Sequence, residues 1–157
     1  MLQPKRSKRP KAARAGETGK MRAAGRTAHS VDYEALARFR YQLRKFLSFS
    51  QAAASKAGLT PHQHQALLAI KGFSSPNPIS VGDLAQFLFI RHHTAGELMD
   101  RMTRLGLVKR VVDNNDSRRV LLKLTRKGEL RLQAVSQMNI GELRSARPAL
   151  TRILRSL

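Results

Sequence analysis

The sequence predicts a mainly α-helical protein with one small β-hairpin, an α+β chain. Apolar residues recur at helical spacing through most of the chain after residue 30, and two short β-branched segments alternate around a turn-rich stretch at 113–119. The first 29 residues carry almost no large apolar side chain, and 157 residues leave room for one domain with a tail. We therefore expect an arm at 1–29 and one helical domain at 30–157.

The charge of the chain is strongly positive. Thirty Lys and Arg against ten Asp and Glu give a formal net charge of +20. Such a charge favours a polyanionic partner, usually nucleic acid and less often an anionic membrane surface. The absence of cysteine excludes disulfides and thiol redox chemistry. Because no apolar run approaches ~20 residues and no secretory signal is visible, we expect a cytoplasmic, nucleoid-associated protein with no membrane partner.

The arm at 1–29 holds nine Lys or Arg and one Glu. Its apolar surface is too small to offset the entropy of ordering, which predicts a disordered basic arm. The arm could add phosphate contacts to flanking DNA, or it could be only a solubilising tail. It could also be an over-long gene prediction whose true start is Met21, whereas its lack of an apolar face argues against a transit peptide.

A long helix is predicted from about residue 31 to residue 57. Ser30 is a suitable N-cap, and Gly58 is a suitable glycine to end the helix. Apolar residues between Leu36 and Leu47 recur at helical spacing. Since this apolar stripe is more than one small domain needs, it favours oligomerisation.

Two further helices are predicted at the C-terminus. Thr125 would cap the first of them, which Gly141 is expected to break. The second covers about 142–157, with Pro148 kinking or restarting it. Its apolar residues and those of the helix at 31–57 would form a dimer interface, unless both stripes pack within one chain.

Three shorter helices lie between these long ones. A capping box, TPHQ at 60–63, begins one; Ser80 caps a second, VGDLAQFL; and a third follows in RHHTAGELMDRMTRL and ends at Gly106. The last two helices are joined by a tight turn, which is a helix-turn-helix pattern. The apolar residues expected to face the core are Leu84, Phe87 and Leu88 on one helix and Leu98, Met102 and Leu105 on the other.

In a helix-turn-helix the second helix lies in a DNA major groove and contacts bases with its N-terminal residues. The residues of this helix that we expect to face DNA are Arg91, His92, His93, Thr94, Gly96 and Arg101. Asp100 on the same helix is a candidate partner for an arginine near the hairpin.

A hairpin with a basic tip follows the helix-turn-helix, which is the order of a winged helix. LVKRVV and VLLKL are alternating strands, and DNNDSRR between them supplies turn formers and then Arg118 and Arg119. Asp116 is near enough to hold Arg118 extended, which suits a narrow minor groove. Arg119 would meet a phosphate; the alternative is that both arginines are solvated surface charge.

The sequence resembles the MarR family of bacterial transcription regulators over about residues 31–157. The family pattern L-V-D-R-L followed by G-L-V-x-R appears as LMDRM at 98–102 and GLVKR at 106–110. The wing pattern D-x-R followed by L-T-x-x-G appears as DSR at 116–118 and LTRKG at 124–128.

This resemblance implies a winged helix-turn-helix homodimer, joined by its first and last helices, with a DNA-binding lobe at about 60–125. It implies binding to a palindromic operator in double-stranded DNA, often as a repressor that a small-molecule effector releases. The family's ligand pocket lies between the dimerisation helices and the lobe. The corresponding residues here, which could equally be core, are Phe46, Phe49, His62 and Leu67.

The chain also departs from the family pattern. Many members carry Ser or Pro near the start of the recognition helix, where this chain has Arg91 and His93, and a Thr or Ser often stands where Gly96 is. These positions would face bases or phosphates, so the operator sequence does not carry over from the family.

Motifs for catalysis or metal binding are not apparent. The chain has no nucleophile motif, P-loop or paired carboxylates, so we expect neither an enzyme nor a cofactor. His62 and His64 diverge by roughly 200° on a helix, so they cannot share a metal ion from that helix. The main alternative function is a sequence-tolerant nucleoid or RNA-binding protein, which the +20 charge would suit. A ligand-binding protein without DNA binding is disfavoured by the basic hairpin tip.

Overall fold

The computed structural model describes residues 32–74, 78–113 and 120–156. In chain order its elements are α1 (Tyr33–Lys56), α2 (Pro61–Gly72), α3 (Val81–Leu88), α4 (His92–Arg104), β1 (Val108–Val112), β2 (Val120–Leu124) and α5 (Arg126–Ser156). The predicted α+β class, mainly helical with one hairpin, is confirmed. The arm at 1–29 and the hairpin tip at 114–119 lie outside the described residues. Within these ranges, no helix combines the length and the apolar character needed to cross a membrane.

The first helix begins at Tyr33, and its N-cap lies two residues after Ser30. Its N-cap is Asp32, whose Oδ1 accepts a hydrogen bond from the backbone N–H of Ala35 at 2.8 Å. The prediction of Ser30 as N-cap was therefore wrong. A carboxylate at this position also faces the positive end of the helix dipole, which favours it over a neutral hydroxyl.

Three helices, α1, α3 and α4, end in the same backbone motif. In each of them two backbone hydrogen bonds close back onto the last turn, with N···O distances of 2.9–3.2 Å. The motif requires one residue with a left-handed φ, and these residues are Gly58 at 68°, Phe89 at 53° and Gly106 at 66°. Glycine adopts this conformation without steric cost, whereas Phe89 does not.

The core lies where α2, α3 and α4 meet the hairpin and α5. Its largest fully buried side chains are Leu67, Ile70, Leu84, Met99, Met102, Leu107, Val108, Leu122 and Val135. Two residues that we expected in the core, Phe87 and Leu105, are instead exposed. Phe87 stacks on Phe73 at the end of α2, with ring centroids 4.1 Å apart, and Leu105 is the C-cap of α4, where the chain turns away from the core.

The hairpin is anchored to the start of α3. β1 and β2 pair antiparallel, with Val108 opposite Leu124. On the other side of β2, the backbone N–H of Leu122 donates to the Ile79 carbonyl at 2.8 Å, and Ser80 forms a bridge with Leu121. The base of the wing is therefore fixed to the helix-turn-helix by backbone hydrogen bonds.

The C-terminal segment is one continuous helix of 31 residues, α5. Gly141 and Pro148 both lie inside it, so the prediction of a break at Gly141 and a new helix from 142 was wrong. Glycine costs about 1 kcal/mol and proline about 3 kcal/mol inside a helix. Packing of α5 along α1 outweighs these local costs. The predicted cap is confirmed, because Thr125 Oγ1 accepts from the N–H of Gly128 at 3.1 Å.

The first turn of α5 is pressed against the chain that links α4 to β1. A Cβ atom built on Gly128 would overlap the carbonyl oxygen of Leu107. Around this approach, the Thr125 backbone N–H donates to Leu107 O at 3.1 Å and Lys127 Nζ donates to Leu105 O at 2.8 Å. The glycine in the LTRKG motif is therefore required by the close approach of two backbones.

Candidate nucleic-acid interface

The two faces of α4 differ in polarity, as a recognition helix requires. Its buried residues are Ala95, Leu98, Met99 and Met102. Among the predicted DNA-facing residues, Arg91, His92, His93 and Arg101 are exposed, and Thr94 and Gly96 are half-buried. The side chains with the most hydrogen-bond donors therefore lie on the solvent side, held there by the burial of the opposite face.

The first turn of α4 presents positive potential to solvent. Arg91 is the N-cap residue, and its side chain makes no capping hydrogen bond. No acidic residue lies in this turn, so backbone N–H groups and the helix dipole reinforce Arg91, His92 and His93. Farther along, Arg101 lies 3.9 Å from Glu97, an exposed i,i+4 pair of the weak kind that leaves an arginine able to change partner.

The recognition helix is linked to the hairpin by an ion pair. Arg110 Nη1 on β1 lies 2.8 Å from Asp100 Oδ1 on α4, which confirms the expectation that Asp100 pairs with an arginine near the wing. Arg110 Nη2 also donates to the Gly96 carbonyl at 3.4 Å. Sequence reasoning had not included Arg110 in the site. Its place in a strand next to the motif at 98–102 was the available signal.

A groove of about 450 Å³ separates the recognition helix from the hairpin. Its polar lining includes Ser80 at the start of α3, His92 on α4 and Arg110 on β1. Gly96 also lines the groove, and a Cβ atom added there would have no neighbouring atom within 4 Å. The recognition helix, the start of α3 and the hairpin base thus form one continuous surface with basic groups on both sides.

The same arrangement of elements occurs in known proteins. The family model described as "MarR family" matches residues 57–119, which run from the end of α1 to the hairpin tip. A MarR family protein from Bacillus stearothermophilus has a similar structure, with a TM-score of 0.65 and 25% identity over 78% of this chain and 89% of that one. Residues 57–119 of this chain are therefore similar to the MarR family.

Two other relatives extend the comparison. The transcriptional activatory protein BadR of Rhodopseudomonas palustris is 34% identical over 101 residues, which are 64% of this chain and 58% of that protein. The match therefore spans little more than half the length of BadR. A point mutant of S. aureus MepR, solved bound to an oligodeoxyribonucleotide, shares the fold with a TM-score of 0.60 and 20% identity over 77% of this chain and 96% of that one.

The predicted wing tip lies outside the described residues. Asp116, Arg118 and Arg119 fall in the range 114–119, so their predicted roles in contacting DNA and shaping the wing stay predictions. The described bases of the two strands end at Val112–Asp113 and begin again at Val120.

The four residues predicted for a ligand pocket occupy different environments. Phe46 and Phe49 are partly exposed on α1, His62 is exposed in the first turn of α2, and Leu67 is completely buried in the core. None of them lines the small cavity of about 20 Å³ between α1 and α2. Their role in ligand binding is untested. Among the described residues, no cluster of three or more His, Asp or Glu side chains could hold a metal ion.

One histidine that does line this cavity is His64, which sequence reasoning had considered only as a metal ligand. Its ring is buried, with 4% of the residue exposed. The available signal was its spacing, since His64 precedes the core residue Leu67 by three positions and so shares its helix face.

Proposed function

We propose that this chain is a DNA-binding transcription regulator that acts as a homodimer on a palindromic operator. The observation that carries the proposal is the exposed, donor-rich first turn of α4 above a fully apolar buried face. Arg, His and Thr side chains can donate to base edges and phosphates in a major groove. The net charge of +20 supports a polyanionic partner. The S. aureus MepR mutant, which has a similar fold, was solved bound to an oligodeoxyribonucleotide.

The proposed homodimer is supported by apolar surface on α1 and α5. The leucines exposed on these helices by 42–57% are Leu36, Leu43, Leu47, Leu143 and Leu154. Apolar side chains exposed along two helices that pack together favour an interface at this surface. Sedimentation at micromolar concentration should give about twice the chain mass of 17.6 kDa.

A matched pair of variants tests this surface. Leu143→Glu should shift the protein toward monomer, because it places a charge in the proposed interface. Leu68→Glu changes a leucine on α2 with a similar exposure of 48% and should leave the dimer intact. Dimers with both variants would place the interface elsewhere, and a monomeric parent chain would remove the basis for a two-fold operator.

The central experiment is selection of DNA by the purified protein, followed by competition with random DNA. A sequence-specific regulator should prefer its selected site by ~10³ or more. Two symmetric recognition helices should contact half-sites roughly 10–10.5 bp apart. The alternative, a sequence-tolerant nucleoid or RNA-binding protein, is favoured by the +20 charge and would give a ratio near one.

Single substitutions then separate base contacts from phosphate contacts. Thr94→Ala or Arg101→Ala should lower affinity for the selected site more than for random DNA if these side chains touch bases. Gly96→Ala has a sharper expectation. The added methyl meets nothing within the protein, so a loss of operator affinity would show that DNA approaches the helix backbone at this point.

We further propose that a small-molecule effector controls operator binding. Its site would be at the junction of α1 and α2, around Phe46, Phe49 and His62, with Leu67 beneath. An effector that binds there should raise the thermal midpoint and change operator affinity by linkage. A repressor was expected from the family resemblance, whereas BadR is named as an activatory protein. Repression and activation are both compatible with the same DNA contacts, because the position of the operator relative to the promoter decides whether binding lowers or raises transcription.

A further inference from the structure

His64 on α2 is a buried ionisable side chain with an unsatisfied polar atom. Only 4% of the residue is exposed, and its Nε2 has no hydrogen-bond partner among the described protein atoms. His62, two residues earlier on the same helix, is exposed. A neutral imidazole has one donor and one acceptor nitrogen, and buried polar atoms are nearly always paired. The unpaired Nε2 of His64 therefore requires a hydrogen-bond partner other than the described protein atoms.

A small cavity beside His64 can supply that partner. It lies between α1 and α2 and has a volume of about 20 Å³, which is room for one water molecule. Ser50 lines it from α1, and the Ser50 hydroxyl accepts a hydrogen bond from Asn139 Nδ2 on α5 at 3.0 Å. Asn139 is also buried, with 7% exposed, and its Oδ1 has no protein partner among the described residues. The hydrogen bond from Asn139 to Ser50 therefore links α5 to the cavity between α1 and α2.

The residues that line the cavity beside His64 are uncharged. The described residues that line the cavity beside it are Leu47, Ser50 and Gln51 on α1 and Pro61 and Gln65 on α2. Asn139, which reaches the joint from α5, is also neutral. Burial is the single cause that lowers the pKa of His64 below its ordinary value of 6.5. A proton on His64 would therefore create a buried charge with no carboxylate to pair with it.

We propose that His64, Ser50 and Asn139 form a hydrated joint that opens when His64 takes up a proton. In the neutral form a water molecule donates to Nε2 and fills the cavity. In the charged form both ring nitrogens are donors, so the water must turn to accept from Nε2, and the unpaired buried charge favours opening of the joint to bulk water. Opening separates α2, in the DNA-binding lobe, from α1 and α5. Its effect on operator binding rests on the proposed function.

The direction of the pH response follows from the two forms of the joint. Closed, His64 has a lowered pKa; open, it has the ordinary value near 6.5. The open form therefore binds the proton more tightly. The population of the open form should rise by up to about tenfold for each pH unit below 6.5. Above pH 6.5 this population should not change with pH. Glu129, whose pKa is lowered from 4.5 mainly by its hydrogen bond from Lys71, titrates below this range.

Urea denaturation of the full chain at pH 7.5 and pH 5.5 tests the joint. In the parent chain and in His62→Gln, the equilibrium constant of unfolding should rise on acidification. This rise should be up to about tenfold larger than the rise in His64→Gln. His62 is the matched control, because it offers the same substitution on the same helix at an exposed position. If His64→Gln keeps the pH response of the parent, the proposal is wrong.

Titration of the imidazole signals by NMR in the unchanged chain provides a test that needs no variant to fold. The midpoint of His64 should lie below the ordinary value of 6.5. A His64 midpoint at 6.5 would overturn the proposal, since it would mean that His64 is already hydrated and free to charge.

Operator affinity provides the functional test. Acidification can change DNA binding through groups other than His64, so the comparison must be made between variants. Between pH 7.5 and 5.5 His64→Gln should gain more affinity than the parent. A parent that gains as much as His64→Gln contradicts the link between the joint and DNA. If no operator is found, the proposed function fails, while denaturation and NMR still decide the joint.

Discussion

Arg110 on β1 holds the recognition helix at two points, through Asp100 Oδ1 at 2.8 Å and the Gly96 carbonyl at 3.4 Å. The side chains of Arg110 and Asp100 are 39% and 57% exposed, so their pairing contributes less than about 1 kcal/mol to folding. The contact instead fixes the distance between the recognition helix and the wing base. Two elements that we propose contact DNA together are thereby oriented relative to each other before binding.

Asp100→Asn should lower the preference for the selected operator over random DNA, with little change in thermal stability. The loss of a negative charge will by itself strengthen binding to any DNA, so the measured quantity is the ratio of the two affinities. Glu97→Gln removes the same charge from the same helix without breaking the link to β1 and should keep the ratio of the parent. Equal ratios for Asp100→Asn and the parent would show that the ion pair does not orient the interface.

Gly128→Ala should destabilise the fold by about 1–3 kcal/mol, because its methyl group must push α5 away from Leu107. Gly141→Ala on the same helix should instead stabilise it by about 0.5–1 kcal/mol, since nothing lies within 4 Å of the added atom. Urea denaturation measures both effects. A neutral result for Gly128→Ala would show that the two backbones are farther apart than the structure has them.

Phe89→Gly should stabilise the protein by about 0.5–1 kcal/mol. Relief of the strained left-handed φ should stabilise the folded state by about 1–2 kcal/mol. The greater conformational entropy of glycine in the unfolded chain offsets part of this gain. Loss of the ring costs little, because Phe89 is 95% exposed. Phe89→Ala removes the ring but keeps the strain and serves as the control. Similar thermal midpoints for the two variants would contradict a strained residue at this turn.

Arg118→Ala should weaken operator binding strongly at fixed salt and leave thermal stability unchanged, whereas Arg119→Ala should cost less. Arg118→Lys should restore only part of the affinity, because an ammonium lacks the planar fork of the guanidinium and is more strongly hydrated. Operator titrations of the three variants measure these effects. Parent-like binding by Arg118→Ala would mean that the wing tip does not read DNA.

Deletion of residues 1–29 should leave the dimer and the thermal midpoint unchanged and should flatten the salt dependence of DNA binding. Each phosphate contact that is lost lowers the magnitude of the logarithmic salt slope by about 0.9. Titrations at several salt concentrations, with the full chain beside the deletion, give the two slopes. Identical slopes would assign the arm no part in DNA binding.

The sequence by itself determined the elements whose signals are local. The capping box at Thr60, the caps at Ser80 and Thr125, and the glycines at Gly58 and Gly106 all depend on contacts within a few residues, and the structure has each of them as predicted. The alternating strands and the recognition-helix face likewise follow from periodicity. Roles of individual residues in contacting DNA remain predictions, because they depend on a partner outside the chain.

Tertiary structure decided what local signals could not. Gly141 and Pro148 are helix breakers by propensity, yet α5 runs through both because α1 packs along it. The partner of Asp100 and the burial of His64 depend on which elements meet, and so does the need for a glycine at Gly128. Propensity acts over one helical turn, whereas packing sums many contacts between segments distant in sequence. Where the two conflict in this protein, packing has the larger free energy.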